Sequence, residues 1–294
     1  MEAGRKTVVV TGASSGIGRA TALELGRRGF LVFAGVRRPA DGEALRAEGS
    51  GAIVPIEIDV TDDRRVAMAA AAIEAQLGNG RAALDGLVNN AGIGSAGPVE
   101  YVSEQSLRRQ FEVNVFGQIA VIQAFLPFVR RARGRIVNIG SVGSHIALPF
   151  GGVLCASKAA FTMLSDTLRL ELRRFGIRVI LIEPAAIRTP AVDKTLGNAE
   201  AIVAGLPPEG AVRYGADIRE FVRRSYALEM RGSPPEVVAA AVCRALTARR
   251  PRLRYIVGKD ARVLATLPHL LPERLLDRVR LRMLGLTSAA ATSR

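Results

Sequence analysis

A glycine-rich turn near the start of the chain has the residue types that bind phosphate. Residues 11–18 read TGASSGIG, follow the apolar run VVV and open a predicted helix. Glycines let the backbone approach a pyrophosphate, and the helix N-terminus offers free N–H groups and a positive dipole end. Its place after the first predicted strand indicates a dinucleotide site rather than an ordinary strand-to-helix turn. The candidate contacts are Gly12, Ser14, Ser15, Gly16, Ile17 and Gly18.

The end of the second predicted strand indicates which dinucleotide is bound. It reads AGVRR over residues 34–38 and has no acid, whereas NAD sites usually carry an acid there for the ribose hydroxyls. Arg37, together with Arg38, can pair with a 2′-phosphate through a bidentate fork. We therefore expect NADP(H) to be preferred over NAD(H). Further candidate contacts are Ser14, Ser15 and Arg19 at the phosphate, and Asp59 and Val60 at the adenine edge.

A second set of motifs extends this pattern across most of the chain. Asn89, Asn90, Ala91 and Gly92 follow the fourth predicted strand. Together with TGASSGIG, Asn114, Ser141 and Lys158, they resemble the short-chain dehydrogenase/reductase superfamily over about residues 5–260. The text GRIVNIGSVGS and the basic C-terminal region resemble its retinol- and hydroxysteroid-dehydrogenase-like branch. The resemblance implies that Asn90, Ala91 and Gly92 contact the cofactor.

The resemblance also implies an active site of four residues. Asn114 would hold a proton-relay water, and Ser141 would hydrogen-bond the substrate carbonyl. Position 154 would carry a tyrosine as the general acid and base. Lys158, one helical turn further on the same face, would bind the nicotinamide ribose and lower the tyrosine's pKa. Positions 114, 141, 154 and 158 all fall in the family's spacing.

Position 154, however, holds leucine, which cannot donate a proton at any pH. No tyrosine lies between Tyr101 and Tyr214, so no neighbour in sequence supplies the phenol. General acid–base help is worth about 10²–10⁴ in rate, so we expect a much slower conventional reductase that still binds cofactor. A tyrosine-to-leucine exchange introduced on purpose, to trap cofactor or substrate without turnover, is the other explanation of this residue.

Three side chains are candidates to replace the phenol. Lys158 can act through a water held by Asn114. His145 follows Ser141 by four residues, on the loop that faces substrate in the family, and imidazole titrates in the range of a general acid. Cys155 projects about 100° around the helix from position 154, so we expect it to pack rather than react.

A second departure from the family lies at residues 184–189, PAAIRT. The family usually reads Pro-Gly in this loop, which contacts the nicotinamide carboxamide. Ala185 indicates a backbone torsion that tolerates a Cβ, or a slightly shifted loop. Pro184, Ile187 and Thr189 are still expected to cover the cofactor.

These residues need a scaffold of alternating strands and helices. Such alternation predicts right-handed βαβ crossovers, hence a Rossmann-type doubly wound parallel sheet of about seven strands with helices on both faces. The predicted strands are 7–10, 31–34, 53–58, 84–88, 135–139, 179–182 and 254–257, and the predicted helices are 16–28, 41–48, 63–77, 103–131, 152–175 and 235–248. We expect one domain over 1–260, with a substrate loop at 191–233, and a basic amphipathic helical extension at 261–294.

Composition and charge indicate the cellular compartment and exclude some partners. The chain has 294 residues, a formal charge of +14 and two cysteines without metal-ligand spacing, so we expect a reducing compartment and no metal site. From Arg244 to Arg282 there are eleven Lys/Arg against three Asp/Glu. Because aromatic residues do not interleave regularly with these charges and no nucleic-acid motif occurs, we expect no nucleic-acid partner. The segment MEAGRKTVVVTG enters a strand directly and no run of 18 uncharged apolar residues occurs, so we expect a cytoplasmic protein without a transmembrane span.

Three functions are compatible with these residues. The first is an NADP(H)-dependent oxidoreductase on a lipophilic alcohol or ketone, its proton transfer impaired or rerouted by Leu154. The second is a non-redox cyclase, isomerase or dehydratase on the same scaffold, and the third is an NADP-binding scaffold without catalysis. The expected partners are a lipophilic small molecule and a second copy of the chain in a homodimer or homotetramer. A weak peripheral membrane contact through residues 261–286 is a further alternative.

Overall fold

The protein is built around one seven-stranded parallel sheet. The computed structural model describes residues 5–49, 51–78 and 82–286. The strands run in the order β3-β2-β1-β4-β5-β6-β7 and every adjacent pair is parallel. Their bounds are β1 Thr7–Val10, β2 Leu31–Val36, β3 Ile53–Glu57, β4 Gly86–Asn89, β5 Arg135–Ile139, β6 Arg178–Pro184 and β7 Arg254–Val257. The predicted fold class and all seven predicted strands are confirmed, with ends shifted by at most two residues.

Twelve α-helices lie around this sheet in the described part of the chain. They are α1 Gly16–Arg27, α2 Pro39–Glu48, α3 Asp63–Leu77, α4 Glu104–Phe111, α5 Gly117–Ala132, α6 Gly152–Leu172, α7 Pro190–Leu196, α8 Ala199–Ala204, α9 Pro208–Met230, α10 Glu236–Thr247, α11 Ala261–Leu270 and α12 Glu273–Leu284. The glycine-rich turn connects β1 to α1, so it lies at the carboxyl end of β1.

Alternation along the strands builds a core on each face of the sheet. Val8 and Val10 of β1 point into one apolar cluster, which includes residues of α1 and α10. Val9 points into the other cluster, which includes Phe125 of α5. All four side chains are fully buried. Because both faces are covered, the central strands are apolar at successive positions, as parallel sheets require.

The strand order reverses between β1 and β4, and this reversal decides where a ligand can bind. The chain winds outward from β1 through β2 to β3 and then returns to the other side of β1 at β4. The connections after β1 and β4 therefore leave the sheet in opposite directions and open a crevice at the carboxyl ends of these strands. The glycine-rich turn follows β1 and Asn90 follows β4, so both lie at this crevice.

Residues 191–233 form helices where the sequence predicted an irregular substrate loop. Helices α7, α8 and α9 occupy most of this segment. Its scattered prolines and glycines delimit helices instead of interrupting them: Pro190 and Pro208 begin α7 and α9, and Gly197 caps the end of α7. Proline is well accommodated at the first helical position, where its missing N–H would have no partner.

The predicted helix 103–131 contains a π-helical turn. Residues Glu112–Phe116 form this turn between α4 and α5, and Asn114 lies at its centre. π-Turns inside α-helices are rare and occur often at functional sites. Among the described residues, the continuous helical stretch Glu104–Ala132 is the one element long and apolar enough to cross a membrane by length and composition. This is weak evidence, because 56% of its apolar window is buried and a core helix passes the same test.

The basic C-terminal extension folds into two helices as far as it is described. Ala261 and Ala265 of α11 pack against Val142, which directly follows Ser141. Leu284 of α12 packs with Phe221 of α9. The predicted extension over 287–294 lies outside the described residues.

Candidate active site

The glycine-rich turn is shaped by contacts between the β1 and β4 connections. Gly12 has a positive φ of 64°, and a Cβ there would lie 2.8 Å from the Cα of Ala91. A Cβ at Gly18 would lie 2.2 Å from the carbonyl oxygen of Gly12. Only glycine fits these two positions, because the backbones of the two connections approach each other directly.

Asn90 fixes the turn from the side. Its side-chain Nδ2 donates to the carbonyl oxygens of Thr11 and Gly12 at 3.0 and 3.2 Å. The hydroxyl of Thr11 in turn accepts the backbone N–H groups of Asn90 and Ala91. The two strand ends that flank the crevice are thus held together by hydrogen bonds.

The N-terminus of α1 fits a pyrophosphate. Ser15 is the residue before the first helical turn, and its side chain makes no capping hydrogen bond. Ser14 and Ser15 are exposed, while Ile17 packs partly against the core. The first N–H groups of α1 are therefore free to donate hydrogen bonds to an anion, which would lie at the positive end of the helix dipole.

The arginines at the proposed 2′-phosphate site have different surroundings. Arg38 makes a bidentate ion pair with Asp41, and both nitrogen–oxygen distances are 2.9 Å. Arg19 forms an ion pair with Glu48. Arg37 is exposed and influences Asp59 electrostatically. Arg37, unlike Arg38 and Arg19, has no ion pair to a carboxylate among the described residues, a difference that the sequence did not show.

Asp59 and Val60 have separate environments after β3. Burial raises the pKa of Asp59, but hydrogen bonds from the N–H and hydroxyl of Thr61, with the nearby charges of Arg37 and Arg109, lower it by more. The net pKa lies below the ordinary value, so Asp59 is ionised and can accept an adenine N–H. Val60 is buried in the apolar core, and its side chain is not part of a polar contact.

Ser141 presents its hydroxyl at the carboxyl end of β5. Its Oγ accepts the backbone N–H of Gly143 at 3.0 Å and caps a short 3₁₀ turn, Val142–Ser144. Because a hydroxyl has one proton and two lone pairs, this contact leaves the proton free to be donated. Ser141 can therefore donate a hydrogen bond to a carbonyl oxygen.

Lys158 reaches the same edge of the sheet from α6. Its Nζ donates to the carbonyl oxygen of Ile139, at the end of β5, at 3.0 Å. Burial lowers the pKa of Lys158 to about 8. A Cβ at Gly92 would lie 3.7 Å from Nζ and 3.4 Å from Oδ1 of Asn114, so the three residues converge.

Asn114 links the π-turn to its neighbours on two sides. Its Oδ1 accepts the N–H of Ile93, and its Nδ2 donates to the carbonyl of Ile93 and to the hydroxyl of Ser157. The Ser157 hydroxyl donates to the carbonyl oxygen of Leu154 at 2.8 Å. Both N–H bonds of the Asn114 amide are used, whereas its Oδ1 accepts one of the two hydrogen bonds that an amide oxygen can take, so a water can bind at Oδ1 or at the backbone.

Position 154 is a partly buried leucine on α6. The chain has four tyrosines, all described, and each phenol is hydrogen-bonded to a residue outside the candidate site. The partners are Arg213 for Tyr101, Glu100 for Tyr214, Asp193 for Tyr226 and the N–H of Arg252 for Tyr255.

His145 is engaged in a buried polar network. Its Nε2 lies 2.9 Å from Oε1 of Glu183, which is fully buried, and 3.4 Å from Nη1 of Arg254. This arrangement favours a structural role over that of an acid directed at a substrate near Ser141. The sequence did not indicate Glu183 or Arg254, because their partners are distant along the chain.

Cys155 lines a cavity that Lys158 does not line. It is buried, and burial raises the pKa of its thiol, as expected for a packing residue. Cys155, Ala156 and Ala159 line a cavity of about 750 Å³ together with Gly143, Ile146, Ala147 and Leu148. Leu154 does not line this cavity either.

The loop after β6 is ordered by contacts on both of its sides. The N–H of Ala185 bonds the carbonyl of Val257, and its φ is not positive, so a Cβ is accommodated there. Ile187 is buried, and its N–H bonds Oε2 of Glu229 in α9. Burial raises the pKa of Glu229. Thr189 lies beside the glycine-rich turn, 3.1 Å from where a Cβ on Gly16 would stand. Pro184 ends β6 and is buried.

A parallel sheet with a glycine-rich turn, an open helix N-terminus and a lysine at the strand ends defines a dinucleotide-binding oxidoreductase scaffold. The family model described as short chain dehydrogenase matches residues 6–199. The chain belongs to the short-chain dehydrogenase/reductase family and is an oxidoreductase of that family.

Relatives and solved structures agree with this assignment. Human retinol dehydrogenase 5 is 38% identical over 281 residues, covering 92% of this chain and 86% of the relative. An NADPH-dependent 3-dehydrocapnine reductase from Ornithobacterium rhinotracheale is 32% identical, covering 92% of this chain and 94% of the relative. A short chain dehydrogenase from Burkholderia cenocepacia in complex with NADP is 26% identical, with a TM-score of 0.70 and coverage of 98% and 100%. The described residues contain no group of three or more acidic, His or Cys side chains that could hold a metal.

Proposed function

We propose that this chain is an NADP(H)-dependent reductase of a lipophilic ketone or aldehyde in which Lys158 delivers the proton. The observation that carries the proposal is the convergence of Lys158, Asn114 and Gly92 beside Ile139, the last residue before the Gly140–Ser141 turn. NADPH supplies the hydride when it is bound. The residues of the chain hold the carbonyl and provide a proton to its oxygen.

Ser141 and Lys158 have different roles at the substrate oxygen. The Ser141 hydroxyl donates a hydrogen bond to the carbonyl and stabilises the negative charge that develops on it. The Lys158 ammonium passes a proton to that oxygen through a water, and its pKa of about 8 suits an acid at neutral pH. Because Leu154 places no phenol between them, we expect the reaction to be slower than that of a tyrosine-containing site.

The preference for NADP(H) rests on Arg37. This residue is exposed at the end of β2 and, unlike Arg38, has no carboxylate fork. The NADPH-dependent relative and the NADP complex named above support the same preference.

The proposal of a lipophilic substrate rests on an apolar cluster beside the loop that follows Ser141. Phe150 has a positive φ of 58°, a strained conformation for a bulky residue, and it follows Ser141 by nine positions. Its ring packs against Phe221 and Tyr214 of α9, with centroids 5.4 and 6.1 Å away. The helices of segment 191–233 thus bring apolar surface to the loop that carries Ser141.

The test is a turnover assay with a series of ketones and aldehydes of increasing chain length. We expect NADPH oxidation that rises with chain length and falls below detection in Lys158→Met. Tight NADPH binding with no oxidation of NADPH and no substrate conversion would instead identify a scaffold. Product formed without NADPH oxidation would identify a non-redox enzyme.

We also propose that α12 contacts an anionic membrane surface. Its outward side carries adjacent rows of exposed arginine and apolar residues, while Leu276 and Leu284 are buried. The rows are Arg274, Arg278 and Arg282, and Leu275, Val279 and Met283. Basic and apolar rows of this kind suit the boundary between headgroups and acyl chains.

Liposome co-sedimentation tests this contact. We expect binding to vesicles with anionic lipid, and loss of binding in Leu275→Ser/Val279→Ser. Val212→Ser, at an 87% exposed position on α9, is the matched control and should bind as the parent does. Equal binding of both variants would exclude α12 as the contact.

We propose that the chain forms a homo-oligomer and that the outer face of α6 is its interface. Met163 and Leu170 are 68% and 62% exposed on this face, and Phe116 is also exposed. Exposed apolar side chains on one face indicate a surface that another protein covers. Light scattering should give a dimer or tetramer for the parent and a monomer for Met163→Glu/Leu170→Glu; a parent that is already monomeric would contradict the proposal.

A further inference from the structure

One buried carboxylate lies between the two loops that form the candidate active site. Glu183 is the next-to-last residue of β6 and is fully buried. The residue after it, Pro184, begins the loop proposed to cover the nicotinamide. Burying a carboxylate is costly unless hydrogen bonds or opposite charges compensate it, so its contacts need an explanation.

Glu183 Oε1 is a shared acceptor for the loop that follows Ser141. His145 Nε2 lies 2.9 Å from this oxygen and the Ser144 hydroxyl 3.1 Å. The Ser144 hydroxyl is also 2.7 Å from the carbonyl oxygen of Ser141, and its single proton serves one acceptor at a time. The 3₁₀ turn that carries Ser141 is thus attached to β6 through one atom.

Arg254 connects the same atom to two further elements. From β7 its Nη1 lies 2.7 Å from Glu183 Oε1, and its Nη2 lies 2.8 Å from Oδ2 of Asp166 in α6. Helix α6 also carries Lys158, two turns before Asp166. A Cβ at Gly140 would lie 3.4 Å from Glu183 Cγ, so the residue before Ser141 packs directly on the carboxylate side chain.

The other oxygen of Glu183 does not contribute to this network. Oε2 is buried and has no hydrogen-bond partner among the described residues. All of the polar contacts of Glu183 therefore pass through Oε1, and they join the Ser141 loop, β6 and β7, while Arg254 extends the network to α6 through Asp166. Side-chain networks of this kind can fix the relative positions of the segments that they join.

We propose that Glu183 is a positioning residue that sets the Ser141 loop relative to the loop 184–189. Its consequence for catalysis rests on the proposed function, since Ser141 and the nicotinamide must be held at a fixed separation for a carbonyl to react. A displacement of about 1 Å in such a geometry can cost about 10²-fold in rate.

Hydrogen exchange of the cofactor-free protein tests the coupling without turnover. In Glu183→Gln and Glu183→Ala we expect faster exchange in 141–145 and 184–189 together, with the larger change in Glu183→Ala. Glutamine keeps the size and one acceptor oxygen, so it is the variant that guards against misfolding. Asp166→Asn is the matched control: it removes the other carboxylate of Arg254 and should leave both loops unchanged. Loosening of one loop alone, or equal loosening in Asp166→Asn, would overturn the proposal.

Kinetics of the same variants separate positioning from stability. Glu183→Ala should lower kcat by at least about tenfold and change NADPH affinity by much less, because the phosphate-binding turn does not contact Glu183. Glu183→Gln should recover part of kcat, and Asp166→Asn should match the parent. A melting temperature that falls with no change in kcat would contradict a positioning role. If the parent reduces no carbonyl, the proposed function fails, whereas the hydrogen-exchange result still decides the role of Glu183.

Discussion

Replacing Leu154 by tyrosine is the sharpest test of how this site handles protons. The new phenol would stand one helical turn before Lys158, on the same face of α6, with Cβ atoms about 5–6 Å apart. Opposite charges about 4 Å apart interact by about 4 kcal/mol at an effective dielectric constant of about 20. That interaction is enough to bring the pKa of a tyrosine from about 10 toward about 7.

We therefore expect Leu154→Tyr to raise kcat for carbonyl reduction by about 10²–10⁴-fold near neutral pH. NADPH affinity should not change, because the turn at Gly12 and the N-terminus of α1 are distant from the new side chain. The gain in carbonyl reduction should fade above about pH 7, where the phenol loses the proton that it donates. The assay is NADPH oxidation with a ketone at saturating cofactor, repeated across pH.

Leu154→Phe is the matched control, since it introduces the ring without the hydroxyl. It should leave kcat at the parent level if the phenol's proton is what matters. Equal rates for Leu154→Tyr and Leu154→Phe would refute the assignment of position 154 to proton transfer. A gain shared by both variants would mean that the ring acts by shaping the pocket.

Other consequences of the structure can be measured separately. Arg37→Ala should weaken NADPH binding by about 10–100-fold, from the loss of about 1.5–3 kcal/mol of charge-assisted hydrogen bonding, and leave NADH binding unchanged; Arg38→Ala should have a smaller effect, and the reverse order would reassign the 2′-phosphate site. Because burial lowers the pKa of Lys158 to about 8, the unfolded chain binds more protons between about pH 8 and 10.5, so stability should rise with pH there; calorimetry of Lys158→Met should lack that rise. Phe125→Ala should cost about 3–5 kcal/mol in the free energy of unfolding measured with urea, because this fully buried ring would leave a cavity, and a cost below about 1 kcal/mol would mean that the core repacks.

The sequence alone determined the sheet, the nucleotide turn and the spacing of the site. A short run of consecutive apolar residues, as at Val8, Val9 and Val10, is typical of a strand buried on both faces. Gly12 and Gly18 could be identified from the motif itself, although the approach of Asn90 and Ala91 contributes to the need for glycine there. The spacing from position 154 to Lys158 is one helical turn, which fixes their common face.

Tertiary structure decided the contacts that join residues far apart in sequence. Segment 191–233 forms helices because α9 finds an apolar partner in Phe150 and Leu148, which lie more than fifty residues earlier. The predicted roles of Arg38 and His145 depend on which carboxylates lie nearby. The sequence does not show that Glu183 of β6 contacts His145, which lies on the loop after the neighbouring strand β5. Burial and ion pairing are set by the whole fold, whereas backbone turns and periodicity are set by neighbours in the chain. This is why the scaffold and its site positions could be predicted, while the partners of the charged side chains could not.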